Sequence, residues 1–403
     1  MVFIICFLIF WNGGGKKEEK DMFENVFGNA KKLGFGLMRL PQLDPNDAGK
    51  VDIETLTKMV DSFIEQGFTY FDTAWMYNAF QSENAAREVL VNRYPRDKFT
   101  LADKLHAGFL DSADDMERIF NEQMKKTGVE YFDYYLIHDI NSHSIKKYED
   151  FDIWSWIQDK KAKGLAKHIG FSFHDGPELL DKVLTEHPIF EFVQLQLNYL
   201  DWESAGVQSR ACYEVVAKHG LPVVTMETVK GGLLSRISPE AQKVYKDYDP
   251  SLSVSSWAVR FAASLPNVRI VLSGMTTPEQ LADNTSYMKD FKPLNDEEKG
   301  LIEKVTEIIQ SENAIPCTGC SYCTDGCPMN IAIPKYFAAF NGEKKENPDG
   351  KKGWTPSAEY YENLAASFGK ASECIQCGQC ESMCPQHLPI IENLKTVAAT
   401  FEK

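Results

Sequence analysis

Eight short apolar runs, spaced by longer amphipathic stretches, constrain this chain more than any other feature. They are LGFGLMRL (33–40), GFTYFDTA (67–74), KFTLADK (98–104), FDYYLIHD (132–139), AKHIGFSF (166–173), FEFVQLQL (190–197), LPVVTMET (221–228) and NVRIVLSG (267–274). Between them the apolar residues recur every three to four positions, as in VDIETLTKMVDSFIEQG, which stops at Gly67, and in DDMERIFNEQMKKTG. That period is helical, and strands alternating with helices predict parallel βαβ units. Eight such units over about 270 residues match an α/β (β/α)8 TIM barrel in count and length. The doubly wound open sheet is the alternative, but its G-x-G-x-x-G turn is missing after the first run.

Two further helical patterns, PEQLADNTSYM and DEEKGLIEKVTEIIQSEN, lead into CTGCSYCTDGCP (317–328). The same spacing returns as CIQCGQCESMCP, from Cys374 onward. C-x2-C-x2-C-x3-C followed by Pro is the spacing of [4Fe–4S] ligation, and four thiolates per cluster predict two clusters. Zinc is the competing reading, but it favours two separated C-x2-C pairs. The runs are separated by IPKYFAAF, a polar loop NGEKKENPDGKKG and a helix-like SAEYYENLAASFG. The expected organisation is a barrel over 22–312 and a small, mainly helical dicluster domain over 313–403.

The formal net charge of −15 argues against nucleic acid or an anionic membrane surface as partner, since both require a basic face. Of the 10 cysteines only Cys6 and Cys212 lie outside the two runs. Disulfides fit such density poorly, and thiolates and clusters want a reducing compartment, so the expected location is the cytoplasm. The opening MVFIICFLIFW is too short to span a bilayer and lacks a signal-peptide cleavage site. The following GGGKKEEKD resembles a translated ribosome-binding site. Residues 1–21 are therefore expected to be an artefact upstream of a start at Met22, with a short membrane-surface anchor as the alternative.

Chemistry in such barrels sits where the strands end. The second run carries Asp72, with Tyr77 in the loop beyond it; the third ends in Lys104, and His138 stands near the end of the fourth. Each alone is commonplace. Together they suit a carbonyl: a phenol can give a proton, an ammonium beside it favours phenolate, a carboxylate holds the ammonium, and a neutral imidazole orients the substrate. On GFTYFDTAWMY with the following SE, TLADK and YFDYYLIHD, residues 30–290 resemble the aldo-keto reductases. The resemblance implies that Asp72, Tyr77, Lys104 and His138 are the catalytic tetrad and that NADP(H) or NAD(H) binds in extended form. Retention of His138 favours carbonyl–alcohol over C=C chemistry.

The same resemblance places Ser172 and Gln194 on the nicotinamide carboxamide, with Phe173 where an Asn is usual. Met226 stands where a Tyr commonly stacks on the ring. Asp283 and Asn284 fall near the adenine. Gly274 and Gln280 occupy positions that usually carry a Lys and an Arg for the 2′-phosphate, which leaves NADPH versus NADH open. Lys230 is expected to approach the phosphates. The tail resembles bacterial-type dicluster ferredoxin domains, and the two domains together resemble a subfamily of the reductases with such a tail. Cross-ligation of the ferredoxin kind implies one cluster on Cys317, Cys320, Cys323 and Cys384, and another on Cys374, Cys377, Cys380 and Cys327.

Three functions follow as expectations. The first is a nicotinamide-dependent carbonyl reductase or alcohol dehydrogenase with structural or sensing clusters. The second is an electron-transfer oxidoreductase coupled to a redox protein partner. The third is a nicotinamide or oxygen sensor. Hydride moves two electrons and a cluster one; flavin is the usual converter. No flavin fingerprint is visible, although a barrel can bind flavin without one. His106, His174, Trp75, Phe80 and Trp202 are expected around the substrate.

Overall fold

A computed structural model of the chain describes residues 25–317, 319, 321–324, 326–351, 353–384 and 387–402. The opening segment, Cys6 and Cys320 lie outside them. Among the described residues no helix is long and apolar enough to cross a membrane.

Each of the eight apolar runs forms a strand, two of which extend one or two residues beyond it: β1 (Leu33–Gly36), β2 (Tyr70–Asp72), β3 (Thr100–His106), β4 (Phe132–Ile140), β5 (Ala166–Phe173), β6 (Phe192–Gln196), β7 (Val223–Met226) and β8 (Val268–Ser273). All neighbours pair in parallel, and β8 returns to β1 with Leu33 opposite Val271, so the sheet closes into a barrel. Helices cover it. In α1 (Ile53–Glu65) the periodic residues Leu56, Met59, Val60 and Phe63 are the buried face. Asp52 caps its start by accepting the Thr55 N–H (3.0 Å). The chain turns out at Gly67 (φ +81°), a conformation that costs glycine nothing. Helix α2 (Asp114–Thr127) has acids in its first turn and Lys125 and Lys126 in its last, matching the helix dipole.

The barrel floor is packed with aromatic rings. Phe27, ahead of β1, stacks on Tyr134 at 5.1 Å and meets Phe192 edge-on at 5.5 Å. A ring-filled layer needs small partners. A Cβ on Gly170 would lie 2.6 Å from the Phe192 ring, and one on Gly34 would lie 2.8 Å from Ile270.

Beyond β8, α3 (Pro278–Met288) and α4 (Asp296–Ser311) lead into a helical tail with its own apolar core. Its main helices are α5 (Ile333–Glu346), α6 (Pro356–Ser367) and α7 (Ile390–Phe401). The expected polar loop after IPKYFAAF is different: α5 runs on through Glu346. Its polar residues are attachments. Asn341 is buried and exchanges both amide bonds with the Ile315 backbone (2.9 and 2.7 Å). Lys345 donates to the Ile309 carbonyl and to Asn313. Local polarity reads as loop when the partners that satisfy it are distant in sequence.

Because the floor is full, Gly170→Val is expected to destabilise the protein by about 1–3 kcal/mol, the usual cost of overpacking. Denaturant unfolding followed by circular dichroism measures this; an unchanged midpoint would show that the layer has room.

Candidate active site at the barrel mouth

The C-terminal strand ends surround a cavity of about 430 Å³ lined by Asp72, Tyr77 and His138. Lys104 stands behind Asp72 and Tyr77 of that lining, with no solvent exposure. Its Nζ lies 2.5 Å from Asp72 Oδ1, donates to the Thr73 carbonyl at 2.8 Å, and sits 5.1 Å from the centre of the Tyr77 ring. Burial alone would drive the ammonium toward neutrality, but the neighbouring Asp72 carboxylate holds it above the ordinary lysine range. For Tyr77 the balance is reversed: burial raises the phenol more than Lys104 lowers it, so the net shift is upward and the hydroxyl stays protonated. His138 meets Tyr77 edge-on at 5.9 Å. Burial, then His106 and Lys104, depress its imidazole well below the usual histidine range, so it is neutral.

The loop that carries Tyr77 is strained. Asn78, Ala79 and Phe80 all have positive φ (50°, 50° and 66°). Such residues persist only where their surroundings hold them. Asn78 Nδ2 donates to the Leu37 carbonyl at 2.7 Å, and Ser82 Oγ donates to the same oxygen at 3.0 Å. The SE pair after the tyrosine is thereby explained: Ser82 ties the loop to the chain after β1, and the buried Glu83 pairs with Lys126, whose Nζ lies over the Trp75 ring.

Of the expected nicotinamide contacts, Gln194 and Met226 line the cavity. Gln194 Oε1 is buried with no hydrogen-bond partner among the described residues, and its Nε2 reaches only Met226 Sδ, at 3.5 Å. An orphaned amide oxygen fits a carboxamide donor. Ser172 is fully buried beside β4, its Oγ accepting the Asp139 N–H (2.8 Å). Gly274 lies at the rim against the Arg39 side chain. Gln280 is exposed and caps its own loop, accepting the Thr276 N–H (2.7 Å). Asp283 accepts from Ser253 (2.7 Å), and Asn284 is buried and bonded to Ser273 and Tyr287. Lys230 is neither a solvated loop residue nor a cation free to meet phosphate. It is 5% exposed and paired with Asp201 (2.8 Å) and Glu346 of α5 (2.7 Å).

In the tail, Cys327, Cys374, Cys377 and Cys380 line one small cavity walled by Ile331, Ile333 and Leu394. The Ile331 N–H points at Cys327 Sγ (3.5 Å), the kind of contact a cluster sulfur receives. Four cysteines around one apolar-walled cavity fit a cluster. Cys317, Cys323 and Cys384 belong to the same apolar core.

Residues 32–307 match the model of the Aldo/keto reductase family. The chain belongs to that family. Residues 316–388 match a 4Fe-4S dicluster domain, so the reductase barrel carries an iron–sulfur tail. A search of curated proteins finds no match. Among solved structures, an aldo-keto reductase from Bacillus halodurans in its holo form is 22% identical (TM-score 0.54, covering 68% of this chain and 91% of that one). One from Klebsiella pneumoniae, in complex with NADP and acetate, is 16% identical (TM-score 0.55, covering 69% and 92%). These likenesses are of fold.

Several wall residues of this reductase escaped sequence reasoning. Arg39 overhangs the mouth, 48% exposed and 3.8 Å from Glu227, and is the cation nearest Gly274. Trp354 and Glu359 enter the cavity from the tail. Trp354 Nε1 donates to Glu359 Oε2 at 2.9 Å. Burial, then the Asp139 carboxylate, push the Glu359 carboxyl up to about 9, so it is a neutral acid at pH 7. No periodicity marks these residues, because they face a different lobe from the one they belong to. Of the expected aromatic wall, His106 and His174 line the cavity, whereas Trp202 packs on Tyr213 and Phe261.

Removing Lys230 leaves two buried carboxylates facing each other. Lys230→Met is expected to cost about 3–5 kcal/mol and to loosen the tail from the barrel. Limited proteolysis of cluster-loaded protein measures it. Weaker nucleotide binding with an unchanged cleavage pattern would instead make Lys230 a phosphate ligand.

Proposed function

We propose that this protein reduces an aldehyde or ketone to an alcohol, or runs the reverse reaction, with a nicotinamide nucleotide. The observation that carries this reading is the buried Lys104 between Asp72 and the Tyr77 ring, beside a neutral His138. A reduced nicotinamide bound in the cavity would supply the hydride for the carbonyl carbon. Tyr77 Oη delivers its proton to the carbonyl oxygen as negative charge grows there. The Lys104 ammonium then stabilises the phenolate left behind, and Asp72 keeps that ammonium in place. His138 hydrogen-bonds the carbonyl oxygen and sets its angle. With the nucleotide bound, Gln194 Oε1 would accept from the carboxamide, Met226 would pack on the ring, and Arg39 would meet phosphate. Ser172 would assist through its hydroxyl hydrogen, and Asp283 and Asn284 would face the adenine.

We further infer two [4Fe–4S] clusters with the cross-ligation given above, in a reducing compartment such as the cytoplasm. Their first role is to hold the tail in shape, and with it the wall formed by Trp354 and Glu359. A second reading puts the clusters in the electron path. A second cavity, of about 520 Å³, lies between barrel and tail and is lined by Cys317, Lys230 and Tyr360. A redox protein partner belongs to that second reading.

Tyr77→Phe removes the proton donor and leaves the ring. Carbonyl-dependent loss of nicotinamide absorbance is expected to fall about 10²–10⁴-fold with nucleotide binding kept. Undiminished turnover would overturn the tetrad assignment. In the same anaerobic cuvette, bleaching of the cluster band by nucleotide alone would favour the electron path.

A further inference from the structure

We propose that Asp139, His174 and Glu359 form a site for a divalent first-row metal ion in the cavity wall, bridging barrel and tail. Each offers one ligand atom, and the three atoms lie within 4.8 Å of one another. They come from three separate elements: the end of β4, the loop after β5 and the first turns of α6. None is a member of the proposed tetrad.

The surroundings orient the two carboxyl groups. The pairing of β4 with β5 shifts register between Ile137 and Ile140, and Asp139 takes φ +60° there. Asn141 Nδ2 donates to Asp139 Oδ1 at 2.9 Å and reaches Glu359 Oε1 at 3.4 Å. The Gly108 N–H donates to His106 Nδ1 (2.9 Å), so His106 carries its hydrogen on Nε2, which lies 3.3 Å from Asp139 Oδ2. Trp354 holds the far oxygen of Glu359. Such outer partners are what fix the ligands of a metal centre.

The observation that points to a ligand is His174. It is 7% exposed, and its Nδ1 has no hydrogen-bond partner among the described residues. A buried polar nitrogen left unpaired is destabilising, and a bound ion would relieve it. Two carboxyl groups this close hold either a proton or a cation between them. Two carboxylates with one imidazole suit Mn2+, Fe2+ or Zn2+, whereas the cysteines of the tail offer soft sulfur. Three protein ligands would leave coordination positions open toward the cavity.

Mn2+ is the probe, because thiolate sites take it poorly. Cluster-loaded protein freed of loosely bound divalent metal is titrated anaerobically and the free Mn2+ signal followed by electron paramagnetic resonance. One saturable site per chain is expected, with the dissociation constant at least tenfold higher in His174→Ala and in Glu359→Gln. Mn2+ should raise the thermal midpoint of the wild type and leave that of Glu359→Gln unmoved. The two variants sit in different lobes, so if one fails to load its clusters the other decides. Equal binding by wild type and variants, or none, would mean a shared proton only and overturn the proposal. Turnover is not the readout, so loss of the carbonyl-reductase reading would leave this result standing.

Discussion

An ammonium group with no exposure to water must be neutralised or it will shed its proton, and everything at the mouth of this barrel is arranged around that requirement. Lys104 projects from β3 into a space closed by Asp72 on one side and the Tyr77 ring on the other. The ion pair is possible because β2 and β3 are adjacent and parallel, with Asp72 in register with Ala102. Breaking it would leave a charge stranded in a low-dielectric floor, the costliest kind of error a core can carry. The strained turn after Tyr77, the ties from Asn78 and Ser82 to Leu37, and the Glu83–Lys126 pair below it all hold the phenol against that charge.

The iron–sulfur tail is built onto this mouth. Its helix α5 looks solvated in sequence, yet Asn341, Lys345 and Glu346 each find a partner on the barrel or on the chain leaving it. The Asp201–Lys230–Glu346 triad is buried at the seam, and Asn363 Nδ2 donates to the His174 carbonyl (2.9 Å). The tail therefore reaches the cavity itself, where Trp354 and Glu359 replace solvent as wall. A domain that orders its core around cysteines thus supplies part of the pocket next to the candidate proton donor.

Much of the candidate site was legible because it obeys strand arithmetic. Asp72, Lys104 and His138 sit near the ends of apolar runs, and a parallel barrel brings such ends together whatever lies between. Gln194 and Met226 were named on the family resemblance alone, and both line the cavity. Lys230 was not legible: a lysine in a glycine-rich loop carries no mark of the two acids that will bury it, one of them more than a hundred residues away. Arg39 and Trp354 were missed because exposure at a rim or across a lobe boundary leaves no periodic signal.

By itself the sequence determined the strand count, the helical covering, the two cysteine runs and three polar residues near strand ends with a tyrosine in the loop beyond one of them, because period and spacing are local properties that survive any arrangement of the rest. Only the tertiary structure decided which charges neutralise one another, that the polar stretch of α5 is a seam, and that Asp139, His174 and Glu359 meet. Those outcomes depend on burial and on pairing between segments far apart in the chain. Neither is set until the barrel closes and the tail docks against it.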